Sequence, residues 1–95
     1  MILKVVCVRD RATDQFGTPL FMVSIGQAIR SFSDEVNRAD KDNQLYRHPE
    51  DFDLFELGEF DTQKGTFAVH AAEQIAIGKS VALGESAPPV LRSVQ

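Results

Sequence analysis

Residues 48–61 read HPEDFDLFELGEFD, and the interpretation of this stretch decides the fold. It holds six carboxylates, three phenylalanines and two leucines, so it is either an acidic site that carries aromatics or a strand that carries charge. Residues 52–60 are rich in phenylalanine and leucine and are followed by turn residues, which is typical of a β-strand. We expect the carboxylates to face water or flank the strand, and the aromatic rings to hold it against a helix. The side chains predicted to pack are Leu54, Phe55, Leu57 and Phe60.

The same stretch does not favour catalysis or metal binding. Asp51, Asp53 and Glu56 would alternate between the two faces of a strand, so they would not converge on one substrate bond or one cation. The sequence has no cysteine or histidine pair at zinc spacing, no G-x-S-x-G elbow and no G-x-x-x-x-G-K phosphate loop. It therefore predicts a protein that is not an enzyme and that holds no metal and no cofactor.

The segments on either side supply a hairpin and a helix. Residues 61–65, DTQKG, predict a turn with Gly65 at a positive φ, and residues 66–69 predict the returning strand. Ser24 and Gln27 have capping-box spacing, which predicts a helix that begins there and ends near residues 37–38. The apolar stripe of this helix is Ile25, Ala28, Ile29, Phe32 and Val36.

The remaining segments complete a small α+β domain. Residues 2–8 and 19–23 predict two strands, and residues 38–51 a long polar loop anchored by Leu45 and Tyr46. The resulting order is β-β-α-β-β: a mainly antiparallel sheet of about four strands, covered on one face by one helix. Residues 1–83 form the domain, in which 70–83 suit either helix or strand, and residues 84–95 form a C-terminal tail that is flexible or ordered only against a partner.

Composition limits the classes of protein that remain. The 95 residues suit one domain with a thin core, which self-association would help to stabilise. The net charge of −4 arises wholly from residues 51–95, so any nucleic-acid-binding surface must be local and drawn from the first half. Cys7 lies in an apolar run and is expected to be a buried free thiol, which fits a reducing cytoplasm. No segment is long and apolar enough to span a membrane.

Basic and aromatic side chains in the first half support binding to single-stranded DNA. Arginine binds phosphate, and an exposed aromatic ring stacks on an unpaired base. Each arginine could instead be a solvated surface residue, and Tyr46 could anchor its loop. The candidate DNA-binding residues are Arg9, Arg11, Phe16, Arg30, Arg38, Lys41, Tyr46 and Arg47.

Three motifs carry a resemblance to a known family. They are the P-x-F stretch at 19–21, the A-x-R-x-F of the helix at 28–32, and the block with HPEDF and LGEFD at 48–61. Together they resemble the small nonstructural protein of gokushovirus-type microviruses, which are tailless phages with a single-stranded DNA genome. The resemblance covers about residues 1–69.

The resemblance implies a non-capsid protein in the cytoplasm of the infected bacterium, acting in viral genome replication or in the switch to single-strand synthesis and packaging. With the residues above, it leads to the hypothesis of a non-catalytic, single-stranded-DNA-binding protein that forms a homo-dimer or higher homo-oligomer. Phage or host replication proteins would be its further partners, and no membrane is implied. The alternative is an adaptor that recruits or inhibits a replication or packaging factor without binding DNA, which the acidic balance and the tail favour.

Overall fold

The computed structural model describes residues 1–83, and it confirms the α+β class. One long helix lies on an antiparallel sheet of five strands, accompanied by short helical turns. The elements are β1 (Ile2–Asp10), β2 (Gln15–Phe16), β3 (Leu20–Met22), α1 (Ile25–Val36), α2 (Gln44–Arg47), a 3₁₀ turn (Pro49–Asp51), β4 (Phe52–Asp61), β5 (Thr66–Ile77) and α3 (Gly78–Val81). The predicted tail at 84–95 lies outside the described residues.

The sheet is built around the antiparallel pair β1 and β4. Its strand order is β2-β1-β4-β5, and β3 also pairs with β1. The predicted return of residues 19–23 beside the first strand is confirmed, with Phe21 opposite Val5. The short strand β2 was not predicted. It forms because the Gly17 N–H donates to the Val8 carbonyl and draws the segment back along β1.

Helix α1 begins where its sequence indicates. The Ser24 hydroxyl accepts a hydrogen bond from the Gln27 N–H, and the Gln27 side chain accepts from the Val23 N–H. Both interactions satisfy backbone donors at the helix start, as a capping box does. Ala28, Phe32 and Val36 are buried, and they join Val6 and Leu54 of the sheet in the hydrophobic core.

The pairing register of strand β4 shifts at Leu57 and Gly58, against both of its neighbours, β1 and β5. Val5 lies opposite Gly58 and Val6 opposite Glu56, so Leu57 is the extra residue of a β-bulge. Gly58 has a φ of 155°, and a Cβ on it would collide with the Ala68 carbonyl oxygen of β5. The turn that follows has Gly65 at a φ of 69°, as predicted.

The predicted loop at 38–51 is shorter than expected because it contains α2 and the 3₁₀ turn. Asn43 organises it: its buried side chain donates to the carbonyls of Glu35 and Arg38 and accepts from the Leu45 N–H. These bonds cap both the end of α1 and the start of α2. Leu45 packs against the core, which confirms its predicted role as an anchor.

The ambiguous segment 70–83 is mostly strand. β5 continues to Ile77, and only residues 78–81 turn into the short helix α3. A side chain on Gly78 would collide with the carbonyl oxygens of Pro49 and Phe52, so glycine permits the close approach of α3 to the 3₁₀ turn. Among residues 1–83, no helix has the length and hydropathy required to cross a membrane.

Two expectations about the acidic stretch are wrong. Phe55 and Phe60 do not hold the hairpin against α1, because their rings contact other phenylalanines on the opposite side of the sheet. Leu54 alone of the predicted packing residues lies in the buried core beneath the helix. Asp53 does not face water, because it is buried against Arg11.

Cys7 is a fully buried free thiol, as predicted. Its Sγ lies 3.1 Å from the Gly17 carbonyl oxygen, to which it donates. Burial raises the pKa of the thiol above its ordinary value.

We expect Gly58→Ala to lower the free energy of unfolding by at least about 2 kcal/mol, because the methyl group meets the β5 backbone at an unfavourable φ. Gly65→Ala is the matched control: its φ is also positive, but no atom lies within 4 Å of the added Cβ. It should cost only about 1 kcal/mol. Urea unfolding followed by circular dichroism measures both. Equal losses would show that the contact with β5 is not the cause.

We expect Cys7 to react at least about a hundredfold more slowly with a thiol-specific disulfide reagent at pH 8 in the native protein than in about 6 M guanidinium. The raised pKa of the thiol keeps the reactive thiolate scarce, and burial blocks access. Absorbance of the released thiolate follows the reaction. Rapid native labelling would contradict the burial of this side chain.

Candidate nucleic-acid interface

The two faces of the sheet have different chemistry. The face that bears α1 also carries the carboxylates of Glu56, Glu59 and Glu73, since Glu56 lies opposite Val6 and Glu73, and Glu59 lies opposite Lys4. Lys4 contacts both Glu56 and Glu59, and its hydrogen bond to Glu59 raises its pKa. The other face, which we call the open face, carries phenylalanines.

Three rings form a cluster on the open face. Phe21 of β3, Phe60 of β4 and Phe67 of β5 have ring centroids 4.8–6.2 Å apart. Phe21 remains 48% exposed and Phe67 58% exposed, although each packs against Phe60. Because the strands hold the rings in place, much of their apolar surface is available to a ligand without rearrangement.

A second pair of rings lies further along the strands. Phe16 of β2 packs edge-on against Phe55 of β4, with centroids 5.3 Å apart, and is 46% exposed. The guanidinium of Arg9 lies over Phe16, 5.9 Å from the ring centroid, and forms an ion pair with Asp14. This pair of rings and the three-ring cluster are about 13 Å apart, since their neighbours on β1 are four residues apart.

Arg11 has a structural partner as well as an exposed position. Its Nε lies 3.2 Å from Oδ2 of the buried Asp53, and its Nη2 donates to the Glu50 carbonyl. The Arg11 N–H also donates to the Asp51 carbonyl. A buried carboxylate needs a compensating cation, so Arg11 contributes to the stability of the fold whatever else it binds.

A second basic group lies on the helix-bearing side, in the segment that follows α1. Arg38 forms ion pairs with Glu35 and Asp40, and its hydrogen bond to Glu35 lowers the pKa of that carboxyl. The Arg47 side chain donates to the Lys41 carbonyl.

The eight predicted DNA-binding residues therefore fall into separate groups. Arg9 and Phe16 lie together on the open face, and Arg11 directly follows the end of β1. Arg30 is exposed on α1, on the opposite side of the sheet. The remaining residues lie in or beside α2, where Tyr46 is half-buried and the basic side chains are exposed: Arg38, Lys41, Tyr46 and Arg47.

The sequence prediction missed Phe21, Phe60 and Phe67 as a surface cluster. The missing signal was the bulge at Leu57, which reverses the alternation of side chains along β4 and places Phe55 and Phe60 on one face. A strict period of two over residues 52–60 would have separated them.

The acidic residues considered for catalysis do not converge. Asp53 lies opposite Arg9 on the open face, whereas Glu56 lies on the helix-bearing face. A different grouping does occur among residues 1–83: ligand atoms of His48, Glu50 and Asp51 lie within 4.8 Å of one another at the surface. This set, formed by the 3₁₀ turn and the residue before it, is not among the residues on which the prediction of no metal rests.

Comparisons with known proteins place this structure in a family. A curated relative, Protein ORF5 of Chlamydia phage 1, is 52% identical over 40 residues, which is 42% of each chain. The matched segment thus spans less than half of that relative. No solved structure matches the chain. The family model described as Phage ORF5 protein matches residues 3–82, which include every described strand and helix except the first residue of β1. These matches support the microviral, gokushovirus-type resemblance, and the chain belongs to the phage ORF5 protein family.

Proposed function

We propose that this phage ORF5 protein is a non-catalytic single-stranded-DNA-binding protein that acts in viral genome replication, or in the switch to single-strand synthesis and packaging, in the cytoplasm of the host bacterium. The observation that carries the proposal is the open face, where exposed phenylalanine rings lie beside an arginine. Unpaired bases stack on such rings with little sequence preference, at about 1–3 kcal/mol per base.

The separation of charge between the faces supports this proposal despite the net charge of −4. The strand carboxylates Glu56, Glu59 and Glu73 lie on the helix-bearing face, so they do not oppose a phosphate backbone on the other side. Asp14 and Asp53 belong to the open side, but each forms an ion pair with an arginine. The open face is therefore less acidic than the composition indicates.

The geometry also suggests how a strand would lie. The three-ring cluster and the Phe16–Phe55 pair are about 13 Å apart along β1, so a strand parallel to β1 could stack bases at both. Arg9 beside Phe16 would then contact phosphate. Only a small number of phosphates would be contacted, so the affinity should be moderate and should decrease with salt.

We expect a fluorescently labelled thymidine oligonucleotide to bind the full chain at micromolar protein in about 50 mM salt, measured by fluorescence anisotropy. Phe21→Ala and Phe67→Ala should each weaken binding about fivefold or more, because each removes a stacking surface. Ile2→Ala is the matched control. Ile2 is 47% exposed, as Phe21 nearly is, but its side chain lies on the helix-bearing face. Absence of binding in low salt would reject the proposal.

One structural observation favours the alternative function, that of an adaptor. Arg9, Arg11 and Arg38 each form an ion pair within the chain, so part of the predicted basic surface is already neutralised. Exposed phenylalanines also suit a protein partner. An adaptor would use the same rings without contacting phosphate.

The two functions differ in their response to the loss of arginine. Arg9→Gln should weaken DNA binding about threefold and reduce its salt dependence by about one counterion. Arg38→Gln is the control on the opposite side, and it should leave binding unchanged if the open face is the site. If both variants retain phage replication while Phe21→Ala abolishes it, the adaptor function is favoured over DNA binding.

A further inference from the structure

Within residues 1–83, strand β5 is an open edge of the sheet. It pairs with β4 on one side and ends the strand order, and Thr66–Gln74 are all exposed. Its 12 residues form an edge of about 40 Å. Val69 is 74% exposed, the highest value among the large apolar side chains of the described residues.

The sequence of β5 lacks the usual protection of such an edge. Proteins commonly place lysine or proline in edge strands to prevent pairing with another chain. Residues 66–77, TFAVHAAEQIAI, contain no lysine, arginine or proline, and Glu73 is the only carboxylate. At the opposite edge, β1 is already covered by β2 and β3. The fold therefore leaves one long strand able to pair.

We propose that β5 pairs antiparallel with β5 of a second copy of this chain, forming a two-fold symmetric dimer with a continuous sheet. The small core of the monomer supports a dimer, because a chain of this length buries little apolar surface alone. The occupant is a second copy because the central part of the edge, residues 69–74, is complementary to itself, in charge and in the faces of its side chains.

Charge complementarity fixes the register. With Ala71 opposite Ala72 of the second copy, His70 lies opposite Glu73 of the second copy, and the symmetry makes this contact twice. His70 and Glu73 both lie on the helix-bearing face, since His70 Nε2 is 3.9 Å from Glu56 and Glu73 lies opposite Glu56. An imidazole can donate a hydrogen bond to the facing carboxylate, so the pair is favourable.

The faces of the neighbouring residues agree with the same register over residues 69–74. Further out, Phe67 and Ala76 lie on opposite faces, because the pairing of β5 with β4 is irregular again between Gln74 and Ala76, so the proposed pairing comprises residues 69–74. Val69 lies opposite Gly58 and Gln74 opposite Phe55, which places both on the open face. In the proposed register Val69 faces Gln74 of the second copy. This match is possible because the pairing of β4 with β5 is irregular between Glu56 and Gly58. Side chains before the irregularity, up to Val69, therefore alternate between the faces in the opposite phase to Glu73 and Gln74 after it. Sliding the strands by one residue would place open-face residues opposite helix-side ones.

The dimer would extend the open face. If the open face binds DNA as proposed above, Phe67 of each copy lies on the same side of one continuous sheet, and the two sets of rings form a longer surface. The dimer itself does not depend on DNA binding.

Sedimentation velocity of the full chain without DNA, over about 1–100 μM, tests the inference. We expect a dimer whose dissociation constant rises about tenfold or more in Glu73→Lys, because the variant replaces two attractive contacts. Adding His70→Glu to Glu73→Lys should restore dimerisation to within about threefold, since the carboxylate and the donating group then exchange positions. Ala72→Lys should be monomeric, because it places lysine at the centre of the edge.

Folding of the variants is controlled within the design. Glu73→Lys places a cation opposite Glu56, so it introduces no new repulsion within the monomer. Thermal unfolding of the variant checks that the monomer is still folded. A wild-type monomer at about 100 μM would overturn the inference. So would a dimer that Phe21→Ala dissociates and Ala72→Lys does not, because its interface would be the open face. A dimer that fails to bind the oligonucleotide would reject only the proposed function.

Discussion

The pairing of β1 with β4 is the constraint on which the rest of the structure depends. Val6 and Leu54 point to one side of this pair, where the buried face of α1 covers them. Cys7 and Phe55 point to the other side, where β2 and its phenylalanine ring provide the cover. The bulge at Leu57 keeps Glu56 and Glu59 on the first side and Phe55 and Phe60 on the second. The hydrophobic core, the acidic face and the aromatic face are thus consequences of one register.

Local patterns were sufficient to predict much of this fold. The cap at Ser24, the apolar stripe of α1 and the turn at Gly65 depend on residues within a few positions of one another, so the sequence contains their full cause. The short strand β2 was missed because its partner is not adjacent in sequence: the Val8 carbonyl accepts from Gly17, nine residues further on. The helix α2 was missed although its cap, Asn43, directly precedes it, because a helix of four residues is too short to show an apolar period.

The candidate site was harder to predict than the fold, for a related reason. Residue type predicts that arginine and tyrosine bind DNA, but it does not reveal that Arg11 compensates a buried carboxylate or that Arg38 lies between two acids. The aromatic cluster joins Phe21, Phe60 and Phe67 from three strands, which only the registers bring together. A resemblance carried by the acidic stretch identified the family, and the role of that stretch proved to be the separation of the two faces.

The central pairing also has a consequence for synthesis of the chain. Ile2 lies opposite Asp61, and Asp10 opposite Phe52, so each contact of β1 with β4 closes a loop of more than 40 residues. Contacts this distant are entropically costly and form slowly. On the ribosome, β1 emerges first and can pair with β2 and β3, but its pairing with β4 must wait until β4 is made. Helix α1 and the hairpin of β4 and β5 can form from local contacts. We therefore expect β1, together with β2 and β3, which pair only with it, to be the last part to join β4 and β5, and the nascent chain to expose the apolar residues of β1 until then.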